Sequence, residues 1–188
     1  MLNFYFDMDG VLAKFIAYKD VKTPPFMREG SHYFLHREPD ERALELFQRL
    51  YHMGNPVSQT KILTRVLKSD DGDDSESTIS ETLRQEWWTD KRAWLLSNTT
   101  GIDTSKCFMM SGKDKGEVLR DIPMHTRRYH ILIDDFNPNL RNWEAAGGTA
   151  VKYINDLNSP ESFNGLCLFK TWPVEQCMNA LLALQVLA

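Results

Sequence analysis

The 188-residue sequence contains only three cysteines, Cys107, Cys167 and Cys177, and no two of them form a CxxC pair. An odd, widely spaced set excludes a disulfide scaffold and a zinc ribbon, so free thiols in a reducing, cytoplasmic compartment are expected. No apolar run approaches the roughly 20 residues that span a bilayer, and the chain enters a strand-like stretch at Leu2 without a basic leader, so neither membrane insertion nor secretion is expected. Positive charge is not in surplus: a formal net charge of -4 and a pI near 5.7 argue against a nucleic acid polymer as partner. Internal repeats are absent too. His32 and His36 have the spacing of a helical metal pair, but Tyr33 stands where HExxH requires glutamate, so both are expected to be cap or surface histidines.

What remains is the composition of one packed domain with room for a small insertion, at 42% hydrophobic and 26% charged residues. Residues 2–12 read LNFYFDMDGVL, in which Leu2, Phe4 and Phe6 alternate as in a strand, Asp7 and Asp9 follow, and Gly10 breaks the run. Residues 14–39 hold Pro24, Pro25 and Pro39, the aromatics Phe15, Tyr18, Phe26, Tyr33 and Phe34, and little periodicity, which reads as inserted chain. A helix is expected from Asp40, with Ala43, Leu46, Phe47, Leu50 and Tyr51 on one side, ended by Gly54, Asn55 and Pro56.

Strands are expected over 57–67, 106–110, 130–133 and 149–154, and helices over 81–96, 117–121, 137–146 and 174–186. Asn137 is expected to cap its helix, with Pro138 at the first position and Gly147-Gly148 closing it. This alternation predicts an α/β fold, a Rossmann-like, mostly parallel sheet flanked by helices, with a small cap inserted after the first strand. The expected division is a core of residues 1–13 and 57–188 and a cap of 14–56. The acidic stretch KSDDGDDSESTIS at 68–80 reads as a solvated loop: as a calcium loop from Asp70 it would put Ser75 where the sharp-turn glycine belongs. The same test removes a calcium loop at Asp7, whose twelfth position is Tyr18.

Four features fall at expected strand ends: Asp7 with Asp9, Thr64, Lys113 or Lys115, and Asp134 with Asp135. Carboxylates from two strands can hold one hard divalent cation, and magnesium takes such oxygen ligands while keeping waters that a phosphate can replace. DMDGV at 7–11, ILT at 62–64, the lysine of GKDKG at 112–116 and IDDFNPN at 133–139 resemble the four motifs of the haloacid dehalogenase-like superfamily. The resemblance implies Asp7 as a nucleophile that forms an aspartyl-phosphate, and Asp9 as acid and base with its backbone carbonyl on the metal. It implies Thr64 and a motif lysine as phosphate contacts, Lys115 being favoured because it opens a helix after Asp114, and Asp134 and Asp135 as metal ligands, one direct and one through water.

Within the superfamily the sequence is most similar to the 5'(3')-deoxyribonucleotidase group, through DMDGVLA at 7–13 and the pattern of Asp134-Asp135, Asn137, Trp143 and Gly147-Gly148. That similarity implies a Mg2+-dependent phosphomonoesterase whose partner is a small phosphorylated molecule, a nucleoside monophosphate. Phe15, Phe26, Tyr33 and Phe34 would then stack on a base, and Arg65, Arg28 or Arg37 would reach phosphate or base edges. Each aromatic, and Trp143, also has the plain reading of a packing residue. Two rivals stand beside the nucleotidase: a phosphatase for another small metabolite such as a sugar phosphate, and a non-catalytic protein that binds a phosphorylated ligand.

Overall fold

The computed structural model describes residues 1–16, 22–53, 58–65, 79–111 and 114–187. Its six strands, β1 (Leu2–Phe6), β2 (Ser58–Arg65), β3 (Phe108–Ser111), β4 (His130–Asp134), β5 (Thr149–Ile154) and β6 (Leu166–Phe169), form one sheet in the order β3-β2-β1-β4-β5-β6, and every neighbouring pair is parallel. The helices are α1 (Glu41–His52), α2 (Glu81–Asn98), the single turn α3 (Thr104–Cys107), α4 (Asn137–Ala145) and α5 (Val174–Leu187). The fold is α/β and Rossmann-like, as the alternation predicts.

The pleat of β1 explains why both faces are covered. Leu2, Phe4 and Phe6 point into a cluster with Ala43, Leu46, Phe47 and Leu50 of α1 and Val174, Cys177 and Leu181 of α5, where the Phe6 and Phe47 rings meet edge-on at 5.6 Å. Tyr5, between them, points into a second cluster with Leu63, Leu132, Leu140 and Trp143. A strand apolar on both sides and paired at both edges belongs in the middle of a parallel sheet, which is where β1 lies.

Several expectations change. The helix expected within the insertion, α1, is a layer of the core, since its apolar stripe covers β1. The segment that stays apart is shorter, and its partner is α2: Tyr33, Phe34, Leu83 and Trp87 form a third cluster with Phe26 and Ile79. β6 was not expected, because its four residues follow a turn-rich stretch. The helix expected at 117–121 is a 3-10 turn, Lys115–Leu119. Asn137 is the first helical residue, with Phe136 at the cap position, because the Asp134 carboxylate accepts the Phe136 N–H at 2.8 Å. The acidic stretch at 68–78 and Lys113 lie outside the described residues. Ser80, at the end of that stretch, caps α2 by accepting the Leu83 N–H at 3.1 Å.

Candidate active site

In this strand order the chain's winding reverses between β1 and β4, and a crevice opens above their carboxyl ends. Asp7 follows β1, with its N–H donating to the Ile133 carbonyl of β4 at 2.9 Å, while Asp134 closes β4 and Asp135 comes next. The loop after Asp7 is tied by Gly10 N–H to Ala13 O (2.7 Å) and Ala13 N–H to Met8 O (2.8 Å). Gly10 has φ +87°, and a Cβ there would lie 2.3 Å from Asp135 Oδ2. Only glycine satisfies both the left-handed backbone and the close approach.

Lys115 lies at the centre of the crevice. It is 1% exposed, and its Nζ stands 2.7 Å from Asp7 Oδ1 and 2.7 Å from Asp134 Oδ2. Asp114 holds the turn that delivers it, accepting the Gly116 N–H at 2.7 Å. Burial lowers the ammonium's proton affinity, but the charges of Asp134 and Asp7 outweigh it and the net shift is upward, so Lys115 stays charged. Asp134, fully buried, is raised by burial and by Asp7, against the pull of Lys115. Asp135 is pushed up to about 7, first by burial and then by the charges of Asp134 and Asp7, although Asn155 donates to its Oδ2 at 2.9 Å.

Asp7, Asp134 and Asp135 each offer an oxygen within 4.8 Å of the others. When all three are ionised, these carboxylates exceed the Lys115 ammonium by two negative charges among the described residues, the complement of one divalent cation. Burial first, and then the charges of Asp134 and Asp7, raise Asp135, and an all-oxygen set suits a hard ion such as magnesium.

Asp9 is held apart from this cluster. Its Oδ2 accepts a hydrogen bond from Lys91 of α2 at 2.5 Å, and the same Nζ donates to Thr64 Oγ1 at 2.8 Å and to the Arg65 carbonyl at 3.2 Å. Lys91 is buried, with its ammonium 4.4 Å from the centre of the Phe34 ring. Sequence reasoning missed this residue. Its signal was a lysine on the stripe of Leu83, Trp87 and Trp94, four residues after Trp87 and three before Trp94, where an apolar side chain is the norm.

The expected substrate-contacting residues divide. Thr64 and Lys115 are in the crevice, and Arg65 borders it through its carbonyl. Phe26, Tyr33 and Phe34 pack on one another and on Trp87, with ring centres 5.0 to 6.4 Å apart. Phe15 stands 6.4 Å from Phe26 and also lines a cavity of about 350 Å³, with Gly10, His36, Arg37, Asn155 and Lys170. Neither Asp7, Thr64 nor Lys115 lines that cavity; Asn155, which does, donates to both Gly10 O and Asp135 Oδ2. Trp143 is a packing residue whose indole donates to the His130 carbonyl at 3.0 Å. Among the described residues, no helix is long and apolar enough to cross a membrane.

No protein-family model matches the chain, and no curated protein sequence matches it. Among solved structures, it superposes on D,D-heptose 1,7-bisphosphate phosphatase from Burkholderia thailandensis with a TM-score of 0.57 and 11% sequence identity, over 96% of this chain and 99% of that one. At that identity the likeness speaks to the fold alone.

Proposed function

We propose that the protein is a Mg2+-dependent phosphomonoesterase of the haloacid dehalogenase-like type, acting through an aspartyl-phosphate. The observation that carries this reading is the bridge from Asp7 through Lys115 to Asp134, with Asp135 beside it and the Asp9, Lys91 and Thr64 group across the crevice. Asp7, Asp134, Asp135 and the Asp9 carbonyl would hold magnesium, whose charge would offset that of an approaching phosphate. Lys115 holds Asp7 Oδ1 and so orients Oδ2 toward phosphorus.

Attack by Asp7 forms an acyl phosphate and breaks the bond to the leaving alcohol, to which Asp9 gives its proton. In the second half Asp9 takes a proton from water as that water attacks phosphorus, which releases phosphate and restores Asp7. Lys91 stands between Asp9 and Thr64, so a phosphoryl group held by Thr64 competes for its ammonium and frees Asp9 to carry a proton.

For the substrate, the motif resemblance supports a nucleoside monophosphate. A sugar phosphate is the second reading, supported by the name of the similar structure and by aromatics that pack on one another instead of lining the crevice. Phosphate release from a panel of nucleoside monophosphates and sugar phosphates, with and without Mg2+, tests both. Turnover of sugar phosphates alone sinks the nucleotidase. Asp7→Asn, nearly isosteric, is expected to lower kcat by at least about 10³-fold with an unchanged circular dichroism spectrum. Activity near that of the wild type would remove Asp7 as nucleophile, and nucleotide binding without any phosphate release would favour the binding protein.

A further inference from the structure

Outside the crevice, one cluster of side chains among the described residues has the composition of a metal site. Glu86 and Asp90 are four residues apart on α2 and therefore share a face of it. His32 comes from the inserted segment, at φ 48°, a left-handed backbone in a non-glycine residue. Glu86 holds that backbone in place by accepting the Gly30 N–H at 2.5 Å and the His32 N–H at 3.1 Å, and it thereby aims the imidazole at Asp90, with Nδ1 to Oδ1 at 3.1 Å. One donor atom from each of the three residues lies within 4.8 Å of the other two.

A histidine–aspartate hydrogen bond alone leaves this group incomplete. Asp90 is 3% exposed, and its Oδ2 has no hydrogen-bond partner among the described residues, a costly condition for a buried acceptor. Two carboxylates face one imidazole, which balances one charge at most. An ion at these three donors would take up both the unused oxygen and the unbalanced charge.

We infer that His32, Glu86 and Asp90 form a second divalent-metal site, suited to zinc, that fastens the inserted segment to α2. One nitrogen and two carboxylates are donors that Zn2+ accepts in a four-coordinate shell completed by water, whereas Mg2+ favours oxygen throughout. The consequence reaches the crevice through the chain: Lys91 follows Asp90 directly and touches Asp9, while Phe34, two residues after His32, lies under the Lys91 ammonium. An ion here fixes Lys91 and Phe34 relative to each other.

The test is a calorimetric titration of the full chain with Zn2+ in saturating Mg2+, for wild type, His32→Asn and Glu86→Gln. Asparagine is tolerated in the left-handed region, and the backbone N–H that Glu86 accepts is unchanged by it. Wild type is expected to bind Zn2+, each substitution to weaken that binding at least about tenfold, and Zn2+ to raise the melting temperature of the wild type alone. Absence of Zn2+ binding, or equal affinity in wild type and either folded variant, overturns the site. Neither outcome depends on phosphate release, so the inference and the phosphatase reading stand or fall separately.

Discussion

Replacing Asp135 with asparagine in the metal-free protein removes a charge that the fold holds at a cost. The carboxyl rises from 3.8 to about 7, so the folded state binds a proton more tightly than the unfolded chain and stability falls as pH rises from about 4 through 7. Above that window the whole difference is felt: about 3 units at 1.36 kcal/mol each, or about 4 kcal/mol at pH 8, shrinking to below about 2 kcal/mol at pH 5. The asparagine oxygen still accepts from Asn155, so little else is lost.

Urea unfolding in chelator at pH 8 and pH 5 measures this directly. Asp135→Asn is expected to be up to about 4 kcal/mol more stable than wild type at pH 8, which at 2–4 °C per kcal/mol is a rise of roughly 8–15 °C in Tm. The gain should be less than half as large at pH 5. Added Mg2+ should stabilise wild type at pH 8 and the variant far less, since the cation performs the same neutralisation. A variant no more stable than wild type at pH 8, or a gain equal at both pH values, would refute the charge deficit from which the metal site is argued.

Lys115→Met is expected to cost about 3–5 kcal/mol in urea unfolding and to abolish turnover, because it strands two buried carboxylates that now share one ammonium. Gly10→Ala is expected to lower phosphate release by at least about tenfold with a modest loss of stability, since its Cβ at 2.3 Å from Asp135 Oδ2 must displace that carboxylate; wild-type activity would show that the position of Asp135 is unimportant.

The elements that carry the acids were legible because their signals are local. β1 and β4 are short apolar runs that end in charge, and a run buried on both faces has few alternatives to a central strand. Lys115 was legible as a motif position, but only the two 2.7 Å contacts show what it joins. The features that escaped depend on distant contacts. The amphipathic pattern of α1 shows that it covers something, not that it covers β1 instead of the insertion. Lys91 is out of place on the apolar stripe of α2, but what it meets there shows only once α2 is laid across the crevice. The aromatics of the insertion were visible as a set, yet whether such rings face a ligand or each other is decided by Trp87, more than fifty residues away. His32 and Asp90, 58 residues apart, have no relation that a local pattern could express.

The central place of β1 also determines when the carboxylate cluster can assemble during synthesis. Asn3 is paired in register with His130, 127 residues later, and the Asp7 N–H waits for the carbonyl of Ile133. A ribosome adding about 5–20 residues per second needs roughly 6 to 25 s to cover that interval. Throughout it, the strand that leads into Asp7 is exposed hydrophobic chain with one edge unpaired. Closure of the sheet's middle is a late, long-range event, so the acids acquire their neighbours only when the fold is nearly whole. A chain arrested before β4 therefore carries Asp7 and Asp9 without the Asp134 and Asp135 carboxylates beside which Asp7 stands in the finished fold.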